Sequence, residues 1–445
     1  MNILNNALRA DANAAIAPVP TNALIGSPLQ VNGDRFMDTL YAIAAIGALP
    51  GGGVRRLAFT PEDIQARQQV QRWMQDAGMT VTIDAAGNLI GRYPGRFSHA
   101  PALATGSHLD TVPDAGIYDG TYGVLAGLEV VRTLHDVNIH LDHPLEVIVF
   151  ADEERTMIGS KAMAGQANPD PHYYDHPDFD PIIESVNRIG GNWSQLGTAK
   201  RTPHEIAAFV ELHVEQGPVL ESVGVDIGLV TGIVGQRRYT ITIEGQASHA
   251  GTTPMTMRQD ALVAASQVVL AVNQIGYEVD DYCDLRGGSQ VATVGAMKLF
   301  PNVANTIPGC VELSLDIRDL SNSYLQHMIS KLQRRMEAIA SETDTQIQIK
   351  PQLRNEPAPV NSHIYNTIER VCDGLGLSHH PLPSRASHDA QIIANVTDMG
   401  MIFVPSEGGI SHAETEYTSP SHCIQGTNVL LHTLLQLDQH YHCGE

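Results

Sequence analysis

Leu145-Glu146-Val147-Ile148-Val149-Phe150-Ala151-Asp152-Glu153-Glu154 is the stretch on which the fold turns. Its apolar run has the character of a strand buried on both faces. Three acids follow at its carboxyl end. Carboxylates grouped there repel one another unless cations sit nearby or the turn is solvated. Two other apolar runs end in residues of similar chemistry. Residues 102–106 lead into Gly106-Ser107-His108-Leu109-Asp110-Thr111-Val112, and residues 207–213 belong to Val210-Glu211-Leu212-His213-Val214-Glu215-Gln216-Gly217. Helices stand between such runs. Thr60-Pro61-Glu62-Asp63 starts one: a Thr cap, Pro in the first turn and acids at the positive end of the dipole. That helix is expected to reach about Gly78, residues 80–92 to be extended, and residues 121–135 to form a further helix. The alternation predicts an α/β sheet with covering helices, whose chemistry lies at the carboxyl ends of its strands.

The pattern changes after Gly232-Ile233-Val234-Gly235. Tyr239 to Glu244 alternates like a half-buried strand. A helix from Pro254 to Asn273, strands near 290–297 and 310–317, and a helix at 321–341 complete a small α+β sandwich. From Lys350 the chain reads again like its first part. The expected organisation is a flexible arm at 1–28, a large catalytic domain split between 29–234 and 350–445, and a small domain at 235–349 inserted into it.

The 445 residues are too many for one ordinary core, which fits two domains. A formal net charge of -22, with no local Lys/Arg run, excludes a nucleic-acid partner. No apolar stretch is long enough to span a bilayer, and the basic-then-apolar pattern of a secretory signal is missing, so a cytoplasmic protein is expected. The five cysteines are scattered without a CxxC pair, against both a disulfide framework and a zinc-thiolate site.

His108 is a good imidazole ligand, and Asp110 is placed to accept its other ring N–H. Asp119, between Tyr118 and Gly120, could bridge two cations. Adjacent side chains of an extended segment point opposite ways, so Glu153 and Glu154 are expected to do different jobs. One would hold metal while the other faces the substrate water. His213 ends the third run, and His412 lies in Gly408-Gly409-Ile410-Ser411-His412-Ala413-Glu414. This mixed nitrogen and oxygen set suits zinc, manganese, cobalt or nickel.

Together these segments resemble the M20-type metallopeptidase clan, and within it the hydantoinase/carbamoylase branch. That branch holds N-carbamoyl-L-amino acid hydrolases, β-ureidopropionases and allantoate amidohydrolases. The resemblance runs from about Val31 to the C-terminus. It includes Gly245-Gln246-Ala247-Ser248-His249-Ala250-Gly251-Thr252-Thr253-Pro254-Met255 and Pro301-Asn302-Val303-Ala304-Asn305-Thr306-Ile307-Pro308-Gly309. His213 matters most for the branch, because peptidase relatives usually carry a carboxylate there. The resemblance implies a large di-metal domain with an inserted lid and dimerisation domain, two divalent ions per subunit and a homodimer. It makes Asp119 the bridging ligand, with His108 and His213 on one metal and Glu154 and His412 on the other. Glu153 becomes the general base and Asp110 the partner of His108. His249 becomes the lid residue that reaches the scissile carbonyl, usually from the partner subunit. Gln216, Asn305, Arg318 and His388 match substrate-holding positions. Each has a plainer reading beside that one: Arg318 as an ion pair with Asp316 or Asp319, His388 as a structural residue held through Asp389, Asn305 as a turn cap, and Gln216 as a local backbone partner.

The implied reaction is hydrolysis of the ureido C–N bond of N-carbamoyl-L-amino acids. Allantoate and N-carbamoyl-β-alanine are alternative substrates. An aminoacylase or dipeptidase of the same clan, and a non-catalytic binding protein, are the rival readings. The sequence departs from relatives after the Asp-Glu-Glu segment. Arg155-Thr156-Met157-Ile158 stands where relatives continue with Gly and then an Arg-Phe pair.

Overall fold

The computed structural model describes residues 29–278 and 290–441. The expected arm at 1–28 lies outside them, as do Cys283 and Cys443. Cys310, Cys372 and Cys423 are free thiols.

The larger part is built on a nine-stranded sheet. At its centre four strands run parallel, in the spatial order Leu145–Phe150, Ala102–His108, Ile206–Val214 and Asp398–Val404. Every residue of Leu145–Phe150 is buried, as expected for a strand covered on both faces. Alternation survives as a choice of core. Leu145, Val147 and Val149 face a layer formed with the helices Gly33–Ala44, Thr121–Asp136, Ser362–Leu375 and Pro420–His440. Ile148 and Phe150 face the opposite layer, with Met163, Phe209 and Phe403. The helix expected after Thr60 spans Pro61–Asp76 and is capped by the Thr60 side chain. The extended segment 80–92 is a hairpin, Thr80–Ile83 with Leu89–Tyr93, turned at Gly87 where φ is +90°.

The smaller part is a four-stranded antiparallel sheet with its own core. Its helices are Ala261–Tyr277 and Asn322–Thr343. The first begins seven residues later than the expected Pro254. Asp260 takes the N–H groups of Leu262 and Val263 and so sets the start, while Arg258 folds back on the carbonyls of Ala250 and Thr253. The strand Gln346–Asn355 pairs with Gly235–Glu244, so the small sheet continues past residue 349. Residues 350–355 therefore do not return to the first pattern. Only the pairing partner, Gly235–Glu244, reveals the strand.

Arg56 fixes the floor of the strand-end region. It is wholly buried, and Nε donates to the Leu109 carbonyl at 2.7 Å. Nη1 donates to the carbonyls of Ile43 and Ile46, and Nη2 to Thr121 Oγ1. Burial holds the guanidinium down to about 10, against the pull of Asp63 and Asp110. Arg56→Met is expected to orphan these acceptors and cost about 3 kcal/mol or more. A lower urea midpoint at unchanged m-value is the expected readout; an unchanged midpoint would show that the network carries no stability.

Candidate metal centre

His108 and His213 meet because their strands are neighbours. Thr105 faces Val210 in register, and three residues further along each strand the two rings lie with centroids 6.1 Å apart. Each ring is fixed by a carbonyl, which can only accept. His108 Nδ1 donates to the Asp110 carbonyl at 2.8 Å, and His213 Nδ1 to the Val214 carbonyl at 2.9 Å. In the neutral rings both Nε2 atoms are therefore unprotonated and able to act as ligands, and that of His213 also accepts the Gly120 N–H at 3.2 Å. The expected partner of His108 was the Asp110 carboxylate. That carboxylate is 4.0 Å away, and the main chain of the same residue takes its place. The carboxylate instead accepts the Glu154 N–H.

Asp119 sits between two donor groups. Its Oδ1 is 3.2 Å from His213 Nε2 and 3.9 Å from His108 Nε2. Its Oδ2 is 3.2 Å from His412 Nε2, which is itself 3.7 Å from Glu154 Oε2. His108, Asp119 and His213 thus form one potential ligand triad, and Asp119, Glu154 and His412 a second, with Asp119 common to both. Gly120 permits this approach. Its φ is +62°, and a Cβ there would lie 2.3 Å from His108 Cε1.

Glu153 and Glu154 do not lie on an extended segment. The strand ends at Phe150, and Asp152 turns the chain with φ at +55°. The two acids still diverge. Glu153 Oε2 approaches His108 Nε2 at 3.7 Å, while Glu154 faces His412. The 155–158 segment folds onto that turn. Arg155 pairs with Asp152 and lies 4.2 Å over the Phe179 ring, and Met157 is left-handed.

The electrostatics fit divalent cations. Burial, then Asp119 and Asp110, pushes Glu154 up to about 9. Burial, then Asp389 and Glu154, pushes Glu153 well above the carboxylate range, and burial with Asp63 takes Asp110 to about 7. Asp119 runs the other way. Burial works to raise it, but His213 and His412 hold it well below the usual range. Asp110 Oδ1, Glu154 Oε1 and Gln216 Oε1 are buried without hydrogen-bond partners. Positive charge placed among these groups relieves each of these costs.

Of the substrate-holding candidates, Gln216 and His388 lie at the cluster. Gln216 Nε2 donates to Asp119 Oδ2 at 3.1 Å from a left-handed backbone, φ +58°. His388 packs edge-on to His213 at 4.5 Å, and its Nε2 meets Ser384 Oγ rather than Asp389. Arg318 is engaged otherwise: its Nε donates to Asp316 Oδ1 at 2.9 Å and its Nη1 to the Arg385 carbonyl at 2.6 Å. His249 and Asn305 are exposed on the inserted part. There the Asn305 carbonyl accepts the Ala250 N–H, and His249 Nδ1 accepts from Gly251 and Thr252. Among the described residues neither makes a hydrogen bond or ion pair to the cluster. Sequence reasoning missed Glu416, which is buried beneath Asp119. Its signal is an acid four residues after His412, but Glu414 competes for the same reading.

Two potential ligand triads sharing one carboxylate, at the ends of parallel strands and beside a further buried acid, define a candidate two-metal hydrolytic centre. The sequence profile of the peptidase family M20/M25/M40 matches residues 104–436. N-carbamoyl-L-amino acid amidohydrolase from Geobacillus stearothermophilus is 38% identical over 92% of this chain and 99% of its own. Allantoate amidohydrolase from Escherichia coli is 35% identical over 90% and 97%. A crystal structure of an amidase of the hydantoinase/carbamoylase family from Burkholderia multivorans superposes with a TM-score of 0.84 at 38% identity, over 92% of this chain and 98% of that one. This chain belongs to the peptidase family M20/M25/M40.

Proposed function

We propose that this protein hydrolyses the ureido C–N bond of N-carbamoyl-L-amino acids with two divalent cations, of zinc, manganese, cobalt or nickel, at the shared-Asp119 cluster. The observation that carries the reading is the pair of triads meeting on Asp119 with Glu153 alongside. His108, Asp119 and His213 would hold one cation, and Asp119, Glu154 and His412 the other. When bound, such ions polarise a carbonyl and make water acidic near neutral pH. Glu153 takes a proton from the attacking water as its oxygen bonds to the ureido carbon. It returns that proton to the leaving nitrogen, which departs as an amine and leaves a carbamic acid. The carbamic acid then breaks its own C–N bond to release carbon dioxide, so the products are an amino acid, ammonia and carbon dioxide. Gln216 and His388 line the reacting group. Arg318 offers its fork to the substrate carboxylate in exchange for Asp316.

A homodimer completes the site in this reading. The strand Val291–Phe300 is an edge of the small sheet, and Val263, Leu270 and Tyr277, spaced seven apart on the helix beside it, are exposed. An open edge next to an apolar stripe suits pairing with a second copy. His249 would then be presented across the dimer to the scissile carbonyl oxygen, with Asn305 beside it. His249→Ala is expected to lower kcat by about 10²–10³-fold while metal content stays at the wild-type value. Mixing His249→Ala with Glu153→Gln protomers should restore about a quarter of wild-type activity, because half of the dimers then hold one intact site. A mixture as inert as its parents would place His249 in the site of its own chain, and an active His249→Ala parent would place it outside catalysis.

Allantoate is the second substrate to test, because the Escherichia coli relative is an allantoate amidohydrolase. Ammonia release from N-carbamoyl-L-amino acids, N-carbamoyl-β-alanine and allantoate should be measured before chelation, after it, and after metal is restored. Chelator-sensitive release from the N-carbamoyl-L-amino acids is the expected result. Release from allantoate alone would reassign the substrate. Turnover of N-acetyl amino acids or dipeptides alone would replace the ureido reading with an aminoacylase or dipeptidase.

A further inference from the structure

Glu416 touches no candidate substrate group, yet both of its oxygens are committed at the centre of the site. Oε1 accepts the main-chain N–H groups of Tyr118 at 3.2 Å and Asp119 at 3.0 Å. Oε2 accepts the Ser411 hydroxyl at 2.8 Å. The side chain is buried, and the loop at Gly116 closes directly onto it: a Cβ on Gly116 would lie 2.4 Å from Glu416 Cβ. A residue serving only its own turn would need no partner beyond it. The turn is already closed by the Glu416 N–H, which donates to the Ala413 carbonyl. The bonds to Tyr118 and Asp119 instead join segments almost three hundred residues apart. Glu414 has a different setting, packed against Gly51 and Gly53.

We infer that Glu416 is a positioning residue, which clamps the loop carrying Asp119 to the loop carrying His412 so that both triads can share one carboxylate. The inference rests on the reading that these triads hold cations. Its mechanical basis is simple. His412 and Asp119 belong to loops with no strand pairing between them, and His412 itself is half exposed with a left-handed backbone. A single carboxylate accepting from both loops holds them at one separation. Without it, Asp119 Oδ2 and His412 Nε2 would sample distances that no one cation can satisfy.

The test is metal affinity, measured by competition between the full-length protein and a chromophoric chelator with Zn²⁺ alone, alongside kcat and KM. Glu416→Ala should weaken binding by about 10–100-fold, the range for losing a partner of a ligand group, with the weaker-held ion affected most. Its kcat should fall with KM little changed. Glu416→Gln should restore near wild-type binding, since its amide oxygen still accepts both N–H groups and its amide nitrogen can donate to Ser411. If Glu416→Ala does not fold, Ser411→Ala decides. It keeps the Tyr118 and Asp119 bonds but frees the His412 loop, and weaker binding of one ion is expected. Wild-type affinity for both ions in whichever of these two variants folds would overturn the inference, and so would a Gln variant as impaired as the Ala variant. A wild-type protein that binds no Zn²⁺ would overturn this inference and the proposed function together. Wild-type binding without hydrolysis of any ureido substrate would overturn the substrate assignment alone.

Discussion

Glu153→Gln should retain its full complement of metal and lose about 10³–10⁴-fold in kcat. The variant keeps the size and hydrogen-bonding reach of the side chain and removes its capacity to accept a proton. Glu153 lies 3.7 Å from His108 Nε2, and the ligand triads are complete without it. Metal binding and turnover should therefore separate. Metal analysis with single-substrate kinetics checks this directly. A variant that loses its metal would make Glu153 a ligand, and one with near wild-type kcat would leave the reaction without its base. KM should hardly move, because under the proposed function Glu153 faces the reacting atoms while Gln216, His388 and Arg318 bind the substrate.

The second large effect is expected at Asp119. His412→Ala should remove one ion of the pair. Asp119→Ala should remove both, because both of the proposed triads contain that carboxylate, unlike the third potential group of Glu211, His213 and His388. It should also leave His213 without the partner that, with Glu211, lifts it to about 9 against burial. Activity should fall below detection, and equilibrium dialysis against Zn²⁺ should show less than one tightly held ion. Retention of one ion with wild-type affinity would mean that Asp119 serves a single site, with another group completing the second. Comparing the two variants therefore measures sharing, which neither can do alone.

Much of this arrangement was legible in the sequence because chemistry and hydrophobic patterning coincide in it. Three buried apolar runs lead into His108, Asp152 to Glu154, and His213, and such runs can be read without coordinates. Asp119 and His412 lie on loops, where no periodicity speaks. Residue type and neighbouring glycines marked them as candidates, the resemblance gave them roles, and the structure brings both to the cluster. What the sequence hid were relations between distant segments. It predicted a carboxylate behind His108, but the Asp110 carbonyl stands there, since main-chain geometry leaves no trace in residue type. It predicted that Glu153 and Glu154 diverge because of strand alternation; they diverge from a left-handed turn at Asp152. Arg318 had two readings, and in this structure its guanidinium is paired with Asp316, as the plainer one required. Glu416 was passed over because its partners, Tyr118 and Asp119, are almost three hundred residues earlier. The expected boundary at residue 349 falls inside the strand Gln346–Asn355 for a similar reason, as its strand character comes from pairing with Gly235–Glu244.

The strand Asp398–Val404 lies between Ile206–Val214 and Ile227–Ile233, in the interior of the sheet although it is the last of the nine in the chain. During synthesis its two neighbours emerge long before it, each with an unpaired ladder of N–H and C=O groups. A nascent chain therefore carries an open slot through the translation of the whole inserted part. Contacts of such long sequence separation form slowly and leave partly folded chains prone to association. Truncation before residue 398 should accordingly yield aggregating protein rather than a weakened hydrolase. The same slot makes the C-terminal segment a natural candidate for delivery in trans, as a separate fragment that restores the sheet of a shortened chain.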